Sequence, residues 1–169
     1  MRPGTRVLIA LVAACAPVAG LPWAPGATQS EPVLDAMFGL VLGQPPDQAR
    51  FVEEGTDEQG RAYRRVMPPN VSPPFLRFRV YTTPDGRVHT IMGEAPYRSA
   101  VACRLEAIEF NKKLIRRFGE PADNLLKENG PVRYASGERS IVLSCLRWQR
   151  GWLLNLTASD RALRAEADR

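Results

Sequence analysis

The clearest hydrophobic period in the chain runs from Ser99 to Phe118. Cys103, Ala107, Phe110, Leu114 and Phe118 recur there at helical spacing, flanked by Leu105, Ile108 and Ile115. Ser99 is placed to cap the helix, Gly119 to end it and Pro121 to stop it. Lys112, Lys113, Arg116 and Arg117 crowd the last two turns, where cations favour the helix dipole. From Phe75 to Tyr81 the period changes to two, with Leu76, Phe78 and Val80 on one face and Arg77 and Arg79 on the other. Thr83-Pro84-Asp85-Gly86 forms a turn, proline fixing φ and glycine supplying a positive φ, and Arg87 to Met92 returns as the partner strand.

The rest of the pattern is shorter. Phe38 to Gly43 reads as an apolar strand, and Pro45-Pro46 then opens a short helix over Asp47 to Glu54 that Gly55 closes. Arg61 to Met67 alternates weakly, and the pairs Pro68-Pro69 and Pro73-Pro74 bracket an extended loop. Val132 to Ser136, Arg139 to Trp148 and Trp152 to Thr157 read as strands joined by turns at Gly137-Glu138 and Gln149-Arg150-Gly151. Hairpin-length links predict an antiparallel sheet. The expected fold is therefore α+β, with one long and one short helix packed on one face of that sheet. One domain over 37–158 accounts for the periodic segments, after a disordered tether at 21–36 and before a charged, fraying tail at 159–169.

Residues 1–20 have a different character. Arg2 and Arg6 precede the apolar run Val7 to Ala14, then Cys15 and small residues to Gly20. This is the pattern of an export signal, with an apolar run far short of the ~20 residues of a membrane span. Val12-Ala13-Ala14-Cys15 resembles the lipobox of bacterial lipoproteins, which implies lipidation of Cys15. Cleavage after Val18-Ala19-Gly20 or Ala24-Pro25-Gly26 is the alternative. Either route places the protein outside the cytoplasm, in the periplasm, and the first would also anchor it by lipid to the outer membrane.

Export changes how the cysteines read. With Cys15 lipidated or removed, Cys103 and Cys145 remain, and two cysteines in an oxidising compartment form a disulfide most simply. Cys103 falls early in the long helix and Cys145 late in a strand, where Ile141, Leu143 and Cys145 share a face, so a bridge would pin helix to sheet. Its loop closure is worth roughly 4 kcal/mol in the chain-entropy description. Two inert buried thiols or a redox pair are the alternatives, the latter without the Cys-x-x-Cys spacing such pairs use.

Charge and chemistry narrow the function by exclusion. Loss of Arg2 and Arg6 with the leader lowers the formal charge of +5 by two, too mild a balance to argue for nucleic acid. The single histidine, His89, sits on a strand without metal-ligand spacing around it, and no metal or cofactor is expected. No nucleophile elbow or phosphate-cradling glycine loop is present; Ser99, Ser136, Ser140 and Ser144 read as caps, turns and strand positions. Glu53-Glu54 and Asp57-Glu58 read as a helix end and a solvated loop, leaving only dispersed carboxylates for acid–base work. Arg77, Arg79 and His89 are the candidate binding patch, on the outer face of the predicted hairpin. Trp148 and Trp152 flank a turn, either as anchors for a partner or as a cross-strand pair.

Leu42-Gly43-x-Pro45 before the first helix, and Phe118-Gly119-x-Pro121 after the second, resemble small bacterial envelope domains of the SmpA/OmlA and β-lactamase-inhibitor-like group. That resemblance implies a non-enzymatic protein–protein role at the cell envelope and carries over no functional residue. The sequence thus leads to a non-catalytic exported protein that binds another envelope protein or an anionic envelope component. The alternative is a small hydrolase acting on cell-wall or lipid substrates through dispersed carboxylates.

Overall fold

The computed structural model describes residues 33–169. The export signal, Cys15 and the stretch of the tether before residue 33 lie outside the described residues. Two short strands, β1 (Ala36–Met37) and β2 (Leu40–Val41), form a small hairpin. Strands β3 (Arg50–Thr56), β4 (Ala62–Met67), β5 (Arg77–Thr82) and β6 (Val88–Tyr97) follow as an antiparallel meander. Helix α1 (Ala100–Phe118) leads to β7 (Asp123–Asn124), β8 (Val132–Ser136), β9 (Arg139–Trp148) and β10 (Gly151–Asp160), and α2 (Arg161–Ala167) ends the chain. The eight longer-range strands make one antiparallel sheet in the order β3-β4-β5-β6-β10-β9-β8-β7. Two meanders therefore meet at β6 and β10, and the fold is α+β.

The long helix forms as its period predicts. The Ser99 side chain accepts from the Ala102 N–H, and Gly119 closes the helix at φ 79° with its N–H donated to the Ile115 carbonyl. Cys103, Ala107, Phe110, Leu114 and Phe118 are all buried, sharing one core with Val80, Val88, Ile91, Ala95, Ile141, Leu143, Leu154 and Leu156 from the sheet. Cys103 on α1 and Cys145 on β9 stand in disulfide geometry, with Cα atoms 6.0 Å apart. Near the other end of the helix the Tyr134 hydroxyl donates to Asn111 Oδ1 at 2.7 Å, and burial pushes that phenol up to about 12.

Three expectations are corrected. The short helix over Asp47 to Glu54 does not form. Phe51 to Thr56 instead pairs with Ala62 to Val66 around a turn in which Asp57 Oδ1 accepts the N–H groups of Gln59 and Arg61. Glu53 and Glu54, read as a helix end, are cross-strand ion-pair partners of Arg65 and Arg64. The tail is not frayed. Asp160 caps α2 by accepting the Leu163 N–H, and Arg161–Glu138 and Arg87–Glu166 pairs hold that helix to the sheet. Folded structure also starts before Met37, since Leu34 is in the core at 1% exposure.

Phe38 turns the β1–β2 hairpin with Gly39, at φ 55° and 80°, a conformation that costs a bulky residue energy. Its ring packs edge-on against Phe75 and Phe78, with centroids 5.3 and 4.9 Å away, and lies over Gly93 of β6. Burial of the ring offsets the turn's strain.

Candidate functional site

Residues that alternate away from the core form the other face of the sheet. The pairing puts Arg65 of β4 opposite Arg79 of β5, Arg79 opposite Met92 of β6, and Arg77 opposite Glu94. Glu94 in turn lies opposite Asn155 of β10, and Leu153 opposite Leu146 of β9. Together with Tyr63, Tyr81 and Trp148 these side chains line a cleft of about 460 Å³. The β3–β4 turn, Thr56 to Gln59, also lines it, as do Leu146 and Trp148 from the far half of the sheet.

Glu94 is the buried centre of the cleft. Its Oε1 accepts from Arg79 Nη2, while its Oε2 lies 3.7 Å from Arg77 Nε, within ion-pair range but too long for a hydrogen bond. Arg77 Nε and Nη2 are buried and find no hydrogen-bond acceptor among the described residues. Burial works against the Arg77 charge, and so do the neighbouring Arg79 and Arg65 guanidiniums, so its pKa lies below the ordinary arginine value. Aromatic faces take part of the load. Arg77 stacks over Trp148 at 4.9 Å, Arg79 over Tyr63 at 5.1 Å and Arg61 over Tyr81 at 5.3 Å. At the cleft rim, burial pushes the Asp57 carboxyl up, but hydrogen bonds from Arg61 and Gln59 outweigh it and hold the group below the usual carboxylate range. Burial raises the Tyr81 phenol.

Of the three residues of the expected patch, Arg77 and Arg79 come together in the cleft and His89 does not. A bulge between Tyr81 and Thr82 shifts the β5–β6 register at His89, whose ring is 5% exposed. Its Nδ1 lies 3.0 Å from Thr90 Oγ1, and Asp160, Arg164 and Asp168 of the C-terminal segment act on it electrostatically. Burial holds the imidazole below its ordinary pKa, so it is neutral at neutral pH. The expected surface histidine is thus a covered one. Trp148 lines the cleft, whereas Trp152 packs against the core and does not pair with it there.

The sequence pattern alone missed Glu94, because the partner strand was expected to end at Met92 while β6 runs to Tyr97. Continuing the alternation Met92–Glu94 opposite Arg79–Arg77 would have found it. Tyr63 and Arg65 were legible in the same way, as the polar positions of a weakly alternating strand. Among the described residues no three His, Cys, Asp or Glu side chains are grouped to hold a metal ion, and no helix is long and apolar enough to cross a membrane.

Chemically the cleft offers guanidinium donors and exposed aromatic and aliphatic surface. Two of its three acids are engaged: Glu94 by Arg79, Asp57 by Arg61. No family model matches the chain, and no curated protein and no solved structure matches it.

Proposed function

We propose that this chain is a non-catalytic exported protein that binds another envelope component through the open face of its sheet. The observation that carries the reading is the cleft itself, where Arg77 has unfilled donors beside exposed Leu146 and Trp148. Arg65 directly opposite Arg79, with Arg77 two residues along the same strand, works against folding, since like charges across strands repel. Aromatic and arginine side chains together are the usual composition of a binding surface. Asp57, held below its ordinary pKa by Arg61 and Gln59, is not placed to donate a proton as a general acid at neutral pH.

The address comes from the N-terminal pattern: export to the periplasm, either with Cys15 as lipid attachment site and an outer-membrane anchor or as a form cleaved after Val18-Ala19-Gly20 or Ala24-Pro25-Gly26. Fatty-acid labelling of wild type and Cys15→Ser tests the anchor, and an unlabelled wild type removes it. β3 and not a helix follows Leu42-Gly43-x-Pro45, so the envelope resemblance, which implies the same non-enzymatic role, rests on α1 with Phe118-Gly119-x-Pro121 alone. Capture from crosslinked envelope fractions tests the binding role. The wild-type protein is expected to retain a discrete component that a Trp148→Ala, Arg65→Glu double variant loses. Equal capture by both, with turnover of a cell-wall or lipid substrate that Asp57→Asn abolishes, would replace the binder by the hydrolase.

A further inference from the structure

Resting on the binding role proposed above, we infer that the ligand presents an oxyanion, a carboxylate or a phosphate group, to Arg77, with Arg65 and Arg79 as flanking charges and Trp148 as platform. Nε and Nη2 lie on the same edge of a guanidinium, the edge that pairs side-on with two oxygens of one oxyanion. Those are the two Arg77 atoms without an acceptor. Glu94 does not fill that edge, since one of its oxygens is taken by Arg79 and the other stands 3.7 Å away.

The charge count around Glu94 points the same way. Two guanidiniums, Arg77 and Arg79, face one buried carboxylate, and Arg65 lies directly opposite Arg79 in the strand pairing. Glu53 draws on Arg65, but that pair is open to solvent on both sides and is screened. Of the four guanidiniums and three carboxylates that line the cleft, Arg61 and Asp57 pair with each other and Glu94 alone is in ion-pair range of Arg77 and Arg79, which leaves room beside Arg77 for a second negative charge. Nε and Nη2 are themselves closed to solvent while the Arg77 side chain keeps 31% of its surface exposed, so binding requires the side chain to turn that edge into the cleft toward the incoming oxyanion.

The body that carries the oxyanion has its own surface to rest on. Trp148 lies under the plane of Arg77, and Leu146 and Leu153 continue that apolar wall. A ligand with an anionic group next to a flat or apolar moiety satisfies both halves. The cleft volume, about 460 Å³, suits a group of small-molecule size.

The test titrates the full-length protein with inorganic phosphate and, separately, with phenylacetate, at matched ionic strength. The readouts are heat and the indole signal of Trp148, assigned with Trp148→Phe. Saturable binding at one site is expected, weakened about tenfold or more by Arg77→Lys, which keeps the charge and loses the side-on fork. Glu94→Gln is expected to tighten binding while lowering the melting temperature, a combination that simple loss of folding does not give. Arg164→Ala, a remote arginine, should bind like wild type. Response to phosphate alone marks a phosphoryl ligand, and response to phenylacetate alone marks a carboxylate. Unchanged affinity in Arg77→Lys, or no shift of the Trp148 signal with either probe, overturns the oxyanion site. If an envelope component still depends on Trp148 and Arg65 for capture in that case, the binding role stands and only the ligand class fails.

Discussion

Replacing Glu94 by glutamine would leave Arg77 and Arg79 on the open face without their shared counter-charge. Both arginine side chains are less than a third exposed and Glu94 is buried, so the change should cost about 2–3 kcal/mol. Urea unfolding of the variant measures it, and added phosphate should restore part of the loss, because a ligand that binds only the folded state stabilises it. Gly93 is tied to packing instead. A Cβ there would sit 2.7 Å from two ring atoms of Phe38 and 3.2 Å from Phe75, so Gly93→Ala should destabilise by about 1–3 kcal/mol in the same assay. His89 sets a pH dependence. Its folded pKa lies below the unfolded value near 6.5, so the unfolded chain takes up the proton first on acidification. The stability that His89 contributes is therefore present above about pH 6.5 and falls as the pH drops toward its folded pKa. Melting curves between about pH 7.5 and 5 should show that fall, and His89→Gln should flatten it. The sequence placed His89 on a strand correctly. It could not show the bulge that turns the ring, or the C-terminal helix that comes over it.

Among the elements, α1 was the most legible and α2 the least, for the same physical reason. Five apolar residues at helical spacing mark α1, and all five are buried. The segment Arg161–Ala167 has only Leu163 among strong apolar residues, so its helix rests on the Asp160 cap and on ion pairs to Glu138 and Arg87, partners distant in sequence. The helix expected over Asp47 to Glu54 failed in the opposite sense. Pro45-Pro46 and two glutamates made a good local case, but pairing with β4 supplies hydrogen bonds and two cross-strand ion pairs that an isolated turn or two of helix cannot match. The cysteine pair shows what spacing and compartment can reach together. Periodicity put Cys103 on the core side of α1 and Cys145 beside Ile141 and Leu143, and the structure brings them into bonding geometry. Cys145→Ser should cost about 2–4 kcal/mol relative to the exported wild type, and denatured exported protein should show neither thiol to a thiol reagent. Two reactive thiols at 103 and 145 would contradict the bridge.

At the scale of the whole molecule, the antiparallel character of the sheet followed from short links between strands. The meeting of its two meanders did not. The β6–β10 contact joins residues 55 to 69 positions apart, with a helix and three strands between them, and no local pattern reports such a pairing. The candidate site depends on that contact, since it carries Leu146, Trp148, Leu153 and Asn155 up to the arginines of β4 and β5. The basic half of the cleft was therefore visible in the alternation around Arg77 and Arg79, while the buried acid and the aromatic wall were not. The proposed division of labour between faces is the central claim: α1 and the disulfide-compatible pair hold one side, and the cleft side is the proposed binding surface. A photoreactive residue placed at Leu146, which is 50% exposed in the cleft, tests it in intact cells against the same residue at Leu105, 61% exposed on α1. A discrete crosslinked product from position 146 that position 105 does not give is the expected result. The same product from position 105, or none from position 146, would contradict it.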